Sequence, residues 1–282
     1  KLDNKQKIDL HRSLFAGIEE VYGTYDPKSG RTWQVKRPIT HRTVWKHLTG
    51  RQPLGVYLLT EERTRAVVAD FDAMDANPVR DFVAAMEHLG LPACIERSKE
   101  KGYHAWVFFE AAGVPARLAR AVARFVLDDI EAGGTEVFPK QDRLDPGTNG
   151  YGNFINTPLF GKLVPKGRTS FVSPNTLKPY TNQWAVLERV ERVSEAKLRE
   201  IAEINGLSEA PAPSPDAVPS LGQVQTHRRL PPCAITMLEE GVTHGQRVAC
   251  FRLAVQLRRT GFPFDVAVAA LHEWAKKNRP EG

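Results

Sequence analysis

The chain of 282 residues carries 39 Lys and Arg against 33 Asp and Glu, a formal net charge of +6. This modest basic excess favours a polyanionic partner over an acidic small molecule, although it does not by itself identify a nucleic-acid-binding protein. Three cysteines argue against a secreted disulfide scaffold, and the amino-terminal KLDNKQKIDLHR is not a signal peptide. No stretch approaches the roughly 18 to 20 apolar residues of a membrane span. We expect a cytoplasmic protein with no membrane partner, folded as one large domain and one small one.

The amino-terminal half shows helical and strand patterns in turn. Apolar residues at helical spacing predict a helix over 8–22, and Asp-Pro-Lys-Ser-Gly at 26–30 predicts a turn. A short helix over 40–48 should end at Gly50, and two strands are expected at 55–59 and 66–71. Asn77 and Pro78 then begin a helix that runs to His88 and ends at Gly90.

The next segment predicts a hairpin and a second long helix. Strands at 93–97 and 103–109 flank the turn SKEKG, and Pro115 opens an amphipathic helix that runs to Ile130. Gly133 and Gly134 end that helix, and a strand-like run begins at Glu136. Strands and helices in this order predict an α+β fold with the helices on one face of a sheet.

Carboxylates stand at the end of one strand and at the start of another. Alternate residues of a strand share a face, so Asp70 and Asp72 point the same way. Glu136 adds a third carboxylate, and oxygen ligands of this kind suit Mg²⁺ or Mn²⁺. An isolated Asp-x-Asp is more often a solvated edge or a turn. Here the preceding apolar, β-branched run is typical of a buried strand, where two carboxylates are costly without a cation.

The hairpin turn carries groups that can bind phosphate. Ser98, Lys101, Gly102 and His104 supply a hydroxyl, an ammonium, a flexible backbone and an imidazole. An isolated histidine in an apolar strand is more often a hydrogen-bonded core residue, and that alternative stays open for His104. Glu100 is an acidic residue inside this basic loop, and it puts in question the reach of the lysines beside it.

In this order, the segments VVADFD, SKEKGYH and TEVF resemble the three motifs of the archaeo-eukaryotic primase superfamily: an acidic strand, a Ser-x-His phosphate-binding strand and a later acidic residue. Within it the chain is most similar to the primase-polymerases of TOTE conflict systems and those beside some CRISPR loci. Further similar segments lie at 14–25, 47–50, 136–142 and 150–162, so the resemblance covers most of residues 10–190. It implies a primase-polymerase palm, an RRM-like sheet with flanking helices.

The resemblance implies a nucleotidyltransferase that makes and extends primers by two-metal in-line displacement with Mg²⁺ or Mn²⁺. Its catalytic and metal-binding residues would be Asp70, Asp72 and Glu136. The nucleoside triphosphate would be held by Ser98, Lys101, Gly102 and His104, with Lys140, Gln141 and Asn153 as further active-site neighbours. For the Gly-rich and Pro-rich segment that contains Asn153, turn formation is an equally good reading.

The expected partners are a single-stranded DNA or RNA template with its primer, and nucleoside triphosphates. A helicase, a nuclease or a CRISPR component is a further candidate partner. The candidate contacts to the nucleic-acid backbone are the basic residues Arg63, Arg65, Lys162, Arg247 and Arg258.

A change of composition divides the chain into domains. We predict a catalytic domain over 1–205, whose last helix spans 194–204, a Pro-rich linker over 206–229 and a helical domain over 230–282. The linker contains SEAPAPSPDAVPS, and three helical segments follow it. The last domain resembles the helical module that follows the palm in these primase-polymerases. Its two cysteines, Cys233 and Cys250, are too few for a four-cysteine iron-sulfur cluster, so we expect them to be buried structural residues.

Two other classes of function remain open. An Asp-x-Asp pair with a glutamate also suits a metal-dependent nuclease, although the Ser98 to His104 element favours a nucleotide substrate. A non-catalytic nucleic-acid-binding or replication-initiation module could keep the same fold, but the presence of all three carboxylates argues against it.

Overall fold

The computed structural model describes residues 2–73, 75–144, 150–207, 230, 232–243 and 246–278. The chain forms two compact units, Lys1–Pro211 and Ala212–Gly282. Most of the predicted Pro-rich linker, from residue 208 to 229, lies outside the described residues. None of the described helices combines the length and the hydrophobicity needed to cross a membrane.

The first unit contains six described α-helices and twelve short strands. The helices are α1 (Asn4–Leu14), α2 (His41–Leu48), α3 (Asn77–His88), α4 (Ala116–Asp129), α5 (Gln183–Leu187) and α6 (Glu195–Ile204). The strands are β1 (Tyr22–Tyr25), β2 (Thr32–Val35), β3 (Gly55–Val56), β4 (Leu59–Thr60), β5 (Arg63–Thr64), β6 (Ala66–Phe71), β7 (Ala93–Arg97), β8 (Tyr103–Phe108), β9 (Val114–Pro115), β10 (Glu136–Phe138), β11 (Ile155–Asn156) and β12 (Ser170–Phe171).

A five-stranded antiparallel sheet, ordered β10-β6-β8-β7-β12, forms the centre of this unit. One of its faces, which we call the helix face, carries the apolar side chains of Val67, Ala69, Phe71, Ala105 and Val107. Helices α3, α4 and α6 pack on this face and complete one hydrophobic core. Alternate residues of each strand point to this face and are apolar. The helices that cover them therefore each present an apolar stripe to the sheet.

The opposite face, which we call the site face, has a second core. Val68, Trp106, Phe108, Phe138 and Phe171 project from the sheet into it. The residues that cover them come from α1, α2, α5 and the smaller sheet β11-β3-β1-β2. The expectation of helices on one face only is therefore wrong: three helices pack on the helix face, and others help to cover the site face.

The predicted helix over 8–22 is also wrong beyond residue 14. Helix α1 ends at Leu14, and the chain turns so that the amide of Ile18 donates to the Tyr57 carbonyl over 2.9 Å. A Cβ at Gly17 would lie 2.0 Å from that same carbonyl oxygen, so the backbones approach too closely for any other residue. The chain then enters β1, which pairs with β2 across the predicted turn at 26–30.

Local signals place several other boundaries well. Helix α3 spans the predicted Asn77–His88, and β7 spans the predicted 93–97. The side chain of Thr40 accepts a hydrogen bond at the start of α2, and that of Ser194 does so at the start of α6. The α+β prediction is confirmed.

The second unit contains α7 (Pro232–Glu240), α8 (Gln246–Arg259) and α9 (Phe264–Ala275), in agreement with the predicted helical module. Ala234, Ala249, Leu253 and Trp274 form its small core. Cys250 is half-buried against this core, whereas the side chain of Cys233 lies outside the described residues.

Candidate active site

A row of polar residues crosses the site face at one end of the central sheet. Glu136 on β10 is opposite Asp70 on β6, Asp70 is opposite His104 on β8, and His104 is opposite Glu96 on β7. Directly opposed residues of antiparallel strands project to the same face, so all four side chains line one side of the sheet. We call this set the polar row. It brings together three predicted site residues and one that the sequence analysis did not select.

His104 lies between two carboxylates of the polar row. Its Nδ1 is 2.9 Å from Glu96 Oε2, and its Nε2 is 3.3 Å from Asp70 Oδ1. Burial by itself lowers the pKa of His104, but the charge of Glu96 and the hydrogen bonds to both carboxylates together raise it to about 10. Each ring nitrogen therefore has a carboxylate oxygen beside it. His104 is buried, as in the core-histidine alternative, yet it contacts two carboxylates of the candidate site.

Glu96 is the residue that the sequence analysis missed. Its exposed fraction is 1%, and its Oε2 accepts a hydrogen bond of 2.8 Å from Trp106 Nε1 as well as the one from His104. A signal for it was present in the predicted hairpin. When Arg97 pairs with Tyr103 across the SKEKG turn, residue 96 must stand opposite His104.

Glu136 and Lys140 form the outer end of the site. Lys140 Nζ donates to Glu136 Oε1 over 2.8 Å and lies 5.0 Å from the centre of the Phe138 ring. The Glu136 side chain is 50% exposed, so this ion pair is open to solvent and contributes little stability. Lys140, a predicted active-site neighbour, thus contacts a predicted metal ligand directly.

The three predicted metal ligands have the chemistry that a divalent cation needs. Asp70 and Glu136 face each other across the strand pair, an arrangement that is destabilising unless a cation offsets the repulsion. Here His104 and Lys140 provide that positive charge, and Asp72 is exposed just beyond the end of β6. Within the described part of the chain, no three His, Cys, Asp or Glu side chains are already grouped around one ion position. In charge and ligand type, the carboxylates fit Mg²⁺ or Mn²⁺.

The loop between β7 and β8 lies against the end of β6. Gly102 has a φ of +83°, and a Cβ there would lie 2.0 Å from the Phe71 carbonyl oxygen, so this position requires glycine. The Ser98 hydroxyl donates to the Lys101 carbonyl, and the Ser98 amide donates to the Gly102 carbonyl over 3.2 Å. The predicted phosphate-binding loop is therefore a closed turn directly beside Asp72.

The two lysines of this loop have different surroundings. Lys99 Nζ lies 4.4 Å from the centre of the Tyr25 ring and 3.3 Å from Glu100 Oε1, whereas Lys101 is exposed. Burial, aided by the charges of Glu100 and Glu96, raises the pKa of Tyr25 to about 12. Glu100 thus pairs with Lys99, and Lys101 is the lysine whose ammonium faces solvent.

Two loops bring the remaining predicted nucleotide contacts together. Gln141 Nε2 donates to Asn153 Oδ1 over 3.4 Å, which joins the loop after β10 to the loop before β11. Gly23 of β1 and Gly55 of β3 are directly opposite each other, and the Phe154 ring packs against both. A Cβ at either glycine would lie within 2.4 Å of this ring. Asn153 therefore precedes a residue, Phe154, that packing holds in place, and its side chain joins two loops in addition to any role in a turn.

The predicted template contacts differ in their surroundings. Arg63 donates to the carbonyls of Ala112 and Gly113 and pairs with Glu195 over 2.6 Å. Arg65 precedes β6, five residues from Asp70, which places it about 16 Å along the strand from the carboxylates. Lys162 and Arg258 are exposed, and the side chain of Arg247 lies outside the described residues. Nucleic-acid contact by these five residues stays a prediction.

Comparison with known proteins gives a family and a set of similar folds. Residues 6–201 match the archaeo-eukaryotic primase domain of the TOTE conflict system. The solved polymerase domain of Mycobacterium tuberculosis Ligase D, in complex with DNA, is 17% identical with a TM-score of 0.36, over 74% of this chain and 93% of that one. Primase RepB′ is 15% identical with a TM-score of 0.35, over 72% of this chain and 64% of that one. A search of curated protein sequences gave no match.

The matched family segment extends from α1 to α6 and contains every residue of the polar row. It spans well over half of the chain, and it agrees with the resemblance carried by the three motifs. The chain belongs to the archaeo-eukaryotic primase domain family of the TOTE conflict system.

Proposed function

We propose that this protein is a template-dependent nucleotidyltransferase that synthesises primers and extends them from nucleoside triphosphates. The observation that carries the proposal is the polar row beside the 98–102 loop, because two carboxylates, a histidine and the loop between β7 and β8 lie at one end of one sheet. A single-stranded nucleic-acid template, a primer and the triphosphate are its partners, and it works in the cytoplasm. A helicase, a nuclease or a CRISPR component is a further candidate partner.

The carboxylates and the loop have separate tasks. Asp70, Asp72 and Glu136 would hold Mg²⁺ or Mn²⁺, which would supply activation of the attacking hydroxyl and charge neutralisation for the leaving pyrophosphate. The triphosphate lies along the 98–102 loop, where Ser98, the Gly102 backbone, the Lys101 ammonium and His104 are its proposed contacts. Lys140, Gln141 and Asn153 are further neighbours of the nucleotide, through the Lys140 contact with Glu136 and the hydrogen bond between Gln141 and Asn153.

A single assay tests this proposal. The protein is incubated with labelled nucleoside triphosphates, Mn²⁺ and an unprimed single-stranded template, and the products are resolved by size. We expect labelled oligonucleotides of increasing length, made from ribonucleoside or deoxyribonucleoside triphosphates. Template fragments would indicate a nuclease instead, and an unchanged template with no product would indicate a non-catalytic binding module. Either of those results contradicts the proposal.

The two compact units suggest a division of labour. The proposed catalytic domain, 1–205, contains all proposed metal and triphosphate ligands, so a protein lacking 230–282 should still extend a ready-made primer. Priming from single nucleotides is more demanding, because two nucleotides must be held at once without a duplex, so a second binding surface is valuable. The helical unit, with exposed Arg252, Arg258, Lys276 and Lys277, is the proposed supplier. Equal loss of priming and extension in the shortened, folded protein would contradict this division.

A further inference from the structure

The buried carboxylate of Glu96 has no role in the chemistry proposed so far. It is 1% exposed, whereas the Asp70 side chain is 22% exposed and that of Glu136 is 50% exposed. A buried carboxylate is costly unless strong donors satisfy it. Two donors converge on the same oxygen, because His104 Nδ1 and Trp106 Nε1 lie 2.9 Å and 2.8 Å from Glu96 Oε2.

The position of Glu96 makes it an anchor for His104. On its other side, Glu96 is opposite Phe171, whose fully buried apolar side chain offers no donor. The Nδ1 atom of His104 is therefore held at the Glu96 end of the polar row. The other ring nitrogen, Nε2, is then directed to the Asp70 side, 3.3 Å from Oδ1. A ring held at one nitrogen presents the other nitrogen in one orientation.

We propose that Glu96 is a positioning residue, which holds the His104 ring at Nδ1 so that Nε2 is presented, in one orientation, to the nucleotide bound beside Asp70. The inference rests on the proposed function, since it concerns how the same site grips its substrate. Glu96 touches neither the substrate nor a metal ion in this arrangement and acts through His104 alone. Supporting groups of this kind typically change affinity or activity by about 10- to 100-fold when they are removed.

The first part of the test measures nucleotide affinity. A fluorescent nucleoside triphosphate with Mg²⁺ is titrated by anisotropy into the wild-type protein, Glu96→Gln, His104→Ala and the double variant. We expect about tenfold weaker binding for Glu96→Gln, with KM raised and kcat nearly unchanged. In the His104→Ala background the same substitution should have no further effect. A Glu96→Gln effect that persists without His104 would overturn the positioning role.

A control separates positioning from general packing. Gln183 is another buried polar residue, and its carboxamide binds the backbone of Phe171 over 2.7 Å and 2.9 Å without touching the polar row. Gln183→Met should lower the melting temperature and leave triphosphate affinity within twofold of the wild type. Loss of affinity in Gln183→Met equal to that in Glu96→Gln would show a packing effect and overturn the inference.

The second part of the test needs no nucleotide. In protein with ¹⁵N-labelled histidine, the His104 resonances are assigned by their loss in His104→Ala. Glu96→Gln should shift the Nδ1 resonance strongly, and an unmoved resonance would overturn the inference. If Glu96→Gln does not fold, Glu96→Asp, which withdraws the carboxylate by one methylene, is read in the same assays with the same expected directions. Wild-type protein that binds no triphosphate overturns the proposed function as well, whereas wild-type binding that the Glu96 variants retain in full overturns only this inference.

Discussion

The two faces of the five-stranded sheet are built by the same strands, yet they differ at one end. Along β6, the helix face stays apolar through Val67, Ala69 and Phe71. On the site face, Val68 is followed by Asp70, and Asp72 comes just after the strand. Along β8 the site face likewise changes from Phe108 and Trp106 to His104.

This difference separates stability from chemistry within single strands. The helix face contributes apolar burial along its whole length, so its substitutions should act on folding. The site face is packed at one end and polar at the other, and the polar end carries groups that repel or attract each other strongly. Substitutions there should act on activity and change stability little. The predictions below test that separation, in order of decreasing expected effect.

The largest effect is expected at Asp70. Asp70→Asn should lower nucleotide addition by roughly 10³-fold or more, the scale of loss when a group that stabilises transition-state charge is removed. The free energy of unfolding should change by less than about 1 kcal/mol, because loss of the His104 contact and relief of repulsion with Glu136 oppose each other. Primer extension at saturating Mn²⁺ and urea unfolding measure the two quantities. Full activity would refute the assignment.

The counterpart on the helix face is Leu118 of α4, which is 2% exposed. Leu118→Ala removes buried methyl groups and leaves a cavity, so unfolding should become easier by about 2 to 5 kcal/mol. At a temperature where the variant is folded, kcat/KM for the nucleotide should stay within twofold of the wild type. A stable Leu118→Ala protein with low kcat/KM would show that the two faces are coupled.

The buried histidines behind the site face give a smaller, pH-dependent effect. His47 accepts the Leu54 amide at Nδ1 over 3.0 Å and lies 2.8 Å from the Pro158 carbonyl at Nε2, with the His11 ring 5.4 Å away. Burial lowers the pKa of His47 to about 4 and holds that of His11 well below its usual value. Below pH 6.5 the unfolded chain binds protons that the folded protein does not, so stability falls as pH falls from 6.5 to 4.

Each of these two histidines contributes up to about 1.4 kcal/mol per pH unit in that window. His47→Gln removes one of them and should about halve the slope of unfolding free energy against pH. Denaturant unfolding at several pH values between 4 and 6.5 measures this slope. An unchanged slope would show that His47 is not held neutral in the folded protein.

The sequence predicted the elements whose signals are local. Asn77 and Pro78 mark the start of α3, and Gly133 and Gly134 follow the end of α4, because chain geometry at a helix end needs few partners. The sequence analysis did not predict the strands β1 and β2. The helical spacing over 8–22 continues past Gly17, whose close contact with the Tyr57 carbonyl is a tertiary contact between distant segments. Such contacts between distant segments leave little local trace.

The site shows the same distinction. Asp70, Asp72, His104 and Glu136 stand in segments that resemble the family motifs and could be selected from that resemblance, although their roles stay predictions. Glu96 could not be selected by type, since a glutamate in a short strand is usually exposed. Its significance comes from the register between β7 and β8, which places it opposite His104. The pairing of β7 with β8 across their hairpin would have identified Glu96, but reading each motif separately does not use that pairing.

The smallest expected effect concerns the two lysines of the 98–102 loop. Lys101 is exposed, whereas Lys99 lies on the Tyr25 ring and pairs with Glu100. Lys101→Ala should therefore weaken triphosphate binding by roughly tenfold, about 1.4 kcal/mol, as expected for loss of one charge-assisted contact. Lys99→Ala removes the same charge from the same loop but leaves the proposed phosphate donors in place, so its effect should stay within about threefold. Anisotropy titration of both variants with a fluorescent triphosphate gives the comparison, and a larger loss for Lys99→Ala would place the phosphates on the Tyr25 side of the loop.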